Sequence, residues 1–124
     1  MIEKIVEVGN LFEFYGKLLS EKQYKVVELF YIDDLSLGEI GELLNITRQG
    51  VYDNLKRAED NLYEFENKLK LYEKFKSGTK NLKKINELAN NTINCTNNKV
   101  IIDDMKEILK IVQSILKESW EVEK

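Results

Sequence analysis

The sequence predicts an all-α protein: a helix-turn-helix domain with a long fourth helix and a C-terminal helical hairpin. Three observations carry this. No proline interrupts the 124 residues, apolar residues recur at spacings of three and four, and nothing in the first half alternates with the period of two of a half-buried strand. Helix-start residues recur at Ser20, Ser36 and Thr47. Between the last two lies "LGEIGELLNI", a short helix and a tight turn, and the helix that opens after Thr47 sits where a helix-turn-helix places its recognition helix.

The first helix is expected over residues 2–19. Ile5, Val8, Phe12, Tyr15 and Leu19 form its apolar face, widened by Leu11, Phe14 and Leu18, and Gly9 and Gly16 mark close approaches by a neighbour. Ser20 with Gln23 reads as a capping box, in which each side chain satisfies the other's backbone N–H. The second helix, 21–32, buries Val26 or Val27, Leu29 and Phe30, with Tyr24 a further candidate, and ends at the turn-forming "DDL". Ser36 and Glu39 form a second capping box for a third helix over 37–44, with Leu37, Ile40 and Leu44 on one face and Gly41 giving room for a close crossing. Asn45 suits the left-handed turn, Ile46 points inward and Thr47 caps the next helix.

That fourth helix starts at Arg48 and meets no stop before "KSGTK". Val51, Leu55, Ala58, Leu62, Phe65, Leu69 and Tyr72 alternate at spacings of four and three, a heptad seam that outlasts the motif. The seam needs a partner: helix one, the C-terminal segment or a second copy of the chain. Residues 1–75 are thus the helix-turn-helix domain, and 76–124 a helical hairpin packing on the long helix or on a dimer partner. In the hairpin, Leu82, Ile85, Leu88 and Ala89 face inward, and "NCTNNK" is the loop. After it, Ile101, Met105, Ile108, Val112 and Ile115 form one row, with Ile102, Leu109 and Leu116 beside it. Trp120 is expected to anchor this packing rather than to form a site.

Composition narrows the function. Histidine is absent and Cys95 is the one cysteine, so the usual general base, a Cys/His zinc site and an internal disulfide are excluded. Carboxylates and lysines gather into no catalytic constellation, so the chain is expected to be no enzyme and to need no cofactor or metal. Its start is acidic from the third residue and no apolar run reaches membrane length, which predicts a cytoplasmic protein.

Charge is uneven. Residues 1–75 hold ten Lys/Arg against fifteen Asp/Glu, net −5; residues 76–99 are net +4 and residues 100–124 net −2.

The stretches "LFEFYGKLLSEKQ", "YIDDLSLGEIGELLNITRQGVYDNLKR" and "AEDNLYEFENKL", spanning residues 11–71, resemble the YlxM family. The resemblance implies a three-helix, winged-helix-like core similar to the fourth region of sigma factors. Gly41 and Gly50 stand where that family usually has Ala, and Asn45 where it has Gly in the turn. Family genes tend to lie beside those for the signal recognition particle GTPases. The resemblance therefore implies a regulator or accessory component of protein targeting, with DNA binding implied by fold similarity and no catalytic role for any residue.

The DNA reading places Thr47, Arg48, Gln49, Tyr52, Asp53, Lys56 and Arg57 on the exposed face of the recognition helix, since such helices present their first turns to base edges. Arg pairs with guanine and Gln with adenine by bidentate geometry. Against it, a solvated helix start has the same composition, Asp53 repels phosphate, and this half of the chain has few cations to spare. A dimer would double the contacts, and Lys80, Lys83 and Lys84 could flank the duplex. The competing reading is a protein-interaction module, joined by the seam and the broad apolar face after Val100, acting on the targeting GTPase or its RNA. RNA binding through residues 76–99 lacks interleaved aromatic residues for base stacking.

Overall fold

The computed structural model describes residues 2–123, and side chains up to residue 117. Six α-helices and no strand occur among the described residues: α1 Ile2–Tyr15, α2 Glu21–Val27, α3 Leu37–Leu44, α4 Arg48–Leu69, α5 Leu71–Cys95 and α6 Lys99–Glu123. They divide into two compact units, Met1–Tyr72 and Glu73–Lys124.

The first unit is built around α4. Val51, Leu55, Ala58 and Leu62 of its seam are buried among Val8, Leu11, Phe12 and Tyr15 of α1, Val26 and Val27 of α2, and Ile40 of α3. The 3–4 spacing puts these residues on one face of α4, and its first four seam positions are used inside the chain. Phe65 and Tyr72 pack against the same core, while Leu69 is exposed. Both Val26 and Val27 are fully buried, in the core that α2 shares with residues of α1 and α4.

Several expected details differ. Helix α1 stops at Tyr15, and Gly16–Leu18 tightens into a 3₁₀ turn that turns Leu18 out to solvent; Ile5 is exposed as well. A Cβ on Gly16 would lie 2.9 Å from the Phe12 ring, so glycine is required there, whereas Gly9 has open space around it. Ser20 accepts from Gln23 N at 3.2 Å, but the reciprocal half of the box is missing because the Gln23 side chain accepts from Asn61 of α4 instead. After Val27 the chain widens into a π turn over Glu28–Ile32, closed by Asp33 N donating to Glu28 O. Asp34 then takes a left-handed conformation, φ 58°.

The break after α4 is the largest correction. "KSGTK" lies inside α5, and α4 ends before it at Leu69, with Lys70 as its left-handed C-cap at φ 56°. Side chains from across the unit hold this corner. Tyr15 OH donates to Glu66 Oε1 at 2.5 Å and accepts from Leu71 N at 3.1 Å, Tyr72 N donates to the same Glu66 oxygen, and Asn10 Nδ2 donates to Tyr72 OH at 2.8 Å. Two backbone N–H groups freed by the break are thereby satisfied.

In the second unit α5 and α6 form the hairpin, joined by residues 96–98. Cys95 ends α5 rather than lying in the loop, and Asn98 Oδ1 caps α6 by accepting from Val100 N and Ile101 N. Burial is sparse: Ala89, Val112 and Leu116 are the buried apolar residues of this unit among those described. Leu82, Ile102, Met105 and Leu109 are half-buried, and Ile85, Leu88, Ile101, Ile108 and Ile115, expected to face inward, are exposed. Two helices cannot cover so broad a stripe between them. The side chain of Trp120 lies outside the described residues.

Candidate nucleic-acid interface

The turn of the helix-turn-helix is specified by local hydrogen bonds. Ser36 Oγ accepts from Glu39 N at 3.1 Å and Ser36 N donates to Glu39 Oε1 at 3.0 Å, the complete capping box. These bonds hold the Glu39 carboxyl below the usual carboxylate range. Asn45 takes the left-handed conformation at φ 59°, and Ile46 N closes onto Gly41 O at 2.9 Å. A Cβ at position 41 would sit 2.8 Å from Ile46 O, so Gly41 accommodates the turn itself rather than a helix crossing. Thr47 Oγ1 accepts from Gly50 N at 2.9 Å and starts α4.

With α4's apolar face held in the core, the opposite face is fixed by the same helical period. Thr47, Arg48, Gln49, Tyr52, Asp53, Lys56 and Arg57 are all exposed. They share one polar face at the start of the helix. Gln49 Nε2 donates to Asp53 Oδ1 at 3.0 Å, one turn on, and Lys56 Nζ lies 3.7 Å from Asp60 Oδ1. Asp53 thus has a positioning contact: it holds the Gln49 amide while leaving its carbonyl and second N–H for another partner.

Behind this face lies a polar network that spacing alone did not reveal. Glu59 is a buried carboxylate, 6% exposed, and no buried side-chain polar atom among the described residues lacks a partner. Tyr31 OH donates to Glu59 Oε2 at 2.6 Å and Lys4 Nζ sits 3.3 Å from Oε1. Burial, reinforced by the Glu59 hydrogen bond, drives the Tyr31 phenol far above its ordinary range; burial and a hydrogen bond with Glu7 push Tyr63 up to about 12. The signal available was Glu59 itself, next to Ala58 on the inward side of the seam.

No group of three or more potential metal ligands occurs among the described residues, and no helix of theirs is long and apolar enough to cross a membrane. The fold and this face define a helix-turn-helix protein that carries an appended helical hairpin. Residues 2–108 match a family described as "UPF0122: Putative helix-turn-helix protein, YlxM / p13 like", and the chain belongs to that family. UPF0122 proteins of Bacillus thuringiensis (strain Al Hakam), Bacillus mycoides (strain KBAB4) and Bacillus cereus (strain 03BB102) are each 37% identical to it over 115 residues, covering 93% of this chain and 99% of theirs. The resemblance to the YlxM family and the all-α helix-turn-helix fold are both established by these matches together with the structure.

Proposed function

We propose that this chain is a non-enzymatic, DNA-binding regulator or accessory protein that reads duplex DNA with the first turns of α4. The carrying observation is that residues 47–57 present their polar side chains on one exposed face while the opposite face is locked into the core. Arg48 supplies a bidentate donor for guanine, and Gln49, oriented by Asp53, a partner for adenine. Thr47 and the start of α3 lie where hydroxyl and backbone N–H groups meet phosphates in this motif. The net charge of −5 over residues 1–75 sets the limit: affinity depends on few phosphate contacts, so log affinity falls with log salt by a slope of only a few. The double variant Arg48→Ala with Gln49→Ala should weaken binding to a selected genomic fragment about a hundredfold, read by fluorescence anisotropy, with its circular dichroism unchanged. Unchanged binding would remove the recognition role of α4.

The second part of the proposal is association. The hairpin exposes Ile101, Ile108 and Ile111 on α6 and Ile85 and Leu88 on α5. A second copy offers matching apolar rows and complementary charge, since residues 76–99 are net +4 and residues 100–124 net −2. A dimer doubles the DNA contacts and sets a half-site spacing. Light scattering from micromolar to millimolar concentration tests it; a monomer throughout rejects it. A cytoplasmic role in the signal recognition particle pathway rests on the family resemblance. Its rival, a module that binds the targeting GTPase or its RNA without DNA, is favoured by the same exposed rows. Capture from extract with and without nuclease separates the two.

A further inference from the structure

We propose that the pocket behind the recognition face takes one unstacked nucleobase of a single-stranded nucleic acid, with guanine the best-matched base. The inference rests on the reading of this face as nucleic-acid-binding and extends it from the duplex to an extruded base. The pocket encloses about 290 Å³ and lies wholly within the first unit. Its walls carry three aromatic rings, Phe30, Tyr31 and Tyr52, together with the aliphatic Ile5, Leu37 and Leu55. Phe30 and Tyr31 come from the π turn, a local widening that recurs at functional positions, and stand edge to face with centroids 5.0 Å apart. Tyr52 comes from α4 and is 49% exposed, so one face of the pocket is continuous with the reading surface.

The polar groups are graded from inside to outside. The Glu59 side chain is 8% exposed and marks the inner end, with the Lys4 ammonium paired to it at 3.3 Å, whereas Lys56 is 57% exposed and marks the solvent end. That order selects the ligand. An anion placed deep would meet the Glu59 carboxylate, and a cation would pass Lys56 and meet the Lys4 ammonium already paired to Glu59. A neutral planar ring with a hydrogen-bond-donating edge, carrying its negative charge outside, satisfies both ends. A nucleobase flanked by phosphates is such a group, and splayed single-stranded bases are commonly held by aromatic side chains with their edges hydrogen-bonded. An ionised carboxylate has about four acceptor positions. Tyr31 and Lys4 use two of them, which leaves two for the adjacent N1–H and N2–H donors of guanine. Uracil and thymine have no exocyclic amine to offer. A base inside a duplex is excluded, because its edge is already paired and its faces stacked.

The experiment compares labelled short single strands, in a DNA and an RNA series, that differ at one central position: guanine, each other base, or an abasic site. Anisotropy at fixed low salt should show the guanine strand binding about tenfold more tightly than the abasic strand in at least one series. The series that responds identifies the sugar. Tyr52→Ala should abolish the difference. Ile5→Trp, which fills the pocket mouth from α1, should abolish it too while leaving duplex binding intact, since residue 5 is not on the recognition helix. Equal affinity for guanine and abasic strands in both series overturns the proposal, as does a guanine preference that survives Ile5→Trp. Duplex binding without base dependence defeats the pocket and spares the recognition helix; base dependence without duplex binding does the reverse.

Discussion

Both units of this chain are helical, and they differ in what their helices cover. In the first, thirteen apolar residues from four helices, a π turn and the link at Leu19 form one core. In the second, the amphipathic helices α5 and α6 bury only Ala89, Val112 and Leu116 among the described apolar residues and leave Ile85, Leu88, Ile101, Ile108, Ile111 and Ile115 exposed. The contrast shows that periodicity predicts a helix and its apolar face, while the number of partners decides whether that face becomes a core. Helix α4 contacts α1, α2 and α3, while α5 and α6 meet each other, with Gln113 Nε2 donating to Asn86 Oδ1 at 2.7 Å.

Loss of apolar volume should weigh very differently in the two units. Leu62→Ala, at a fully buried site, should cost about 3 kcal/mol in urea denaturation. Ile111→Ala, at an exposed site, should cost under about 0.5 kcal/mol in a monomer. A cost for Ile111→Ala approaching that of Leu62→Ala, and growing with protein concentration, would mean that a second copy buries the row. Next in size is the corner that ends the first unit. Tyr15→Phe leaves Leu71 N without its acceptor and removes one of the donors to Glu66 Oε1, and should cost about 2 kcal/mol, with faster amide exchange at residues 70–72. If α4 and α5 instead fused into one helix, exchange there would slow.

Smaller effects come from the caps, one in each unit. Ser36→Ala and Asn98→Ala should each cost about 1 kcal/mol, the first read in global unfolding and the second in exchange confined to the start of α6. Loss of global stability from Asn98→Ala would show that the units unfold together. The last test is alkaline. Tyr31 and Tyr63 ionise less readily when folded than the ordinary phenol at 10, so their contribution is complete below pH 10 and is lost as pH rises through the folded values, about 12 for Tyr63. Denaturation midpoints should fall above pH 10, and Tyr63→Phe should flatten the fall between 10 and 12.

Much of the motif was legible because its determinants are close in sequence. The Ser36–Glu39 box, the left-handed Asn45 and the Thr47 cap each join residues at most five apart. The seam positions Val51 to Leu62 were legible for a related reason, since one face of a helix is set by its own period. Illegible were features that join distant residues. Gln23 abandons its box for Asn61, 38 residues away, and the corner at Lys70 is held by Tyr15 and Asn10. "KSGTK" misled because glycine costs helix propensity only modestly, an amount neighbouring turns override. The pocket was unreadable for the same reason: its lining comes from α1, the π turn, α3 and α4.

Local sequence specified six helices, the caps at Ser36 and Thr47, the turn of the motif and which face of α4 is apolar, because hydrogen bonds and side-chain period act within a few residues. The tertiary structure alone decided where α4 stops, that Glu59 is buried with Tyr31 and Lys4, and that a pocket opens behind the reading face. Those outcomes depend on which surfaces meet, and surfaces separated by fifty residues meet only after the core has formed.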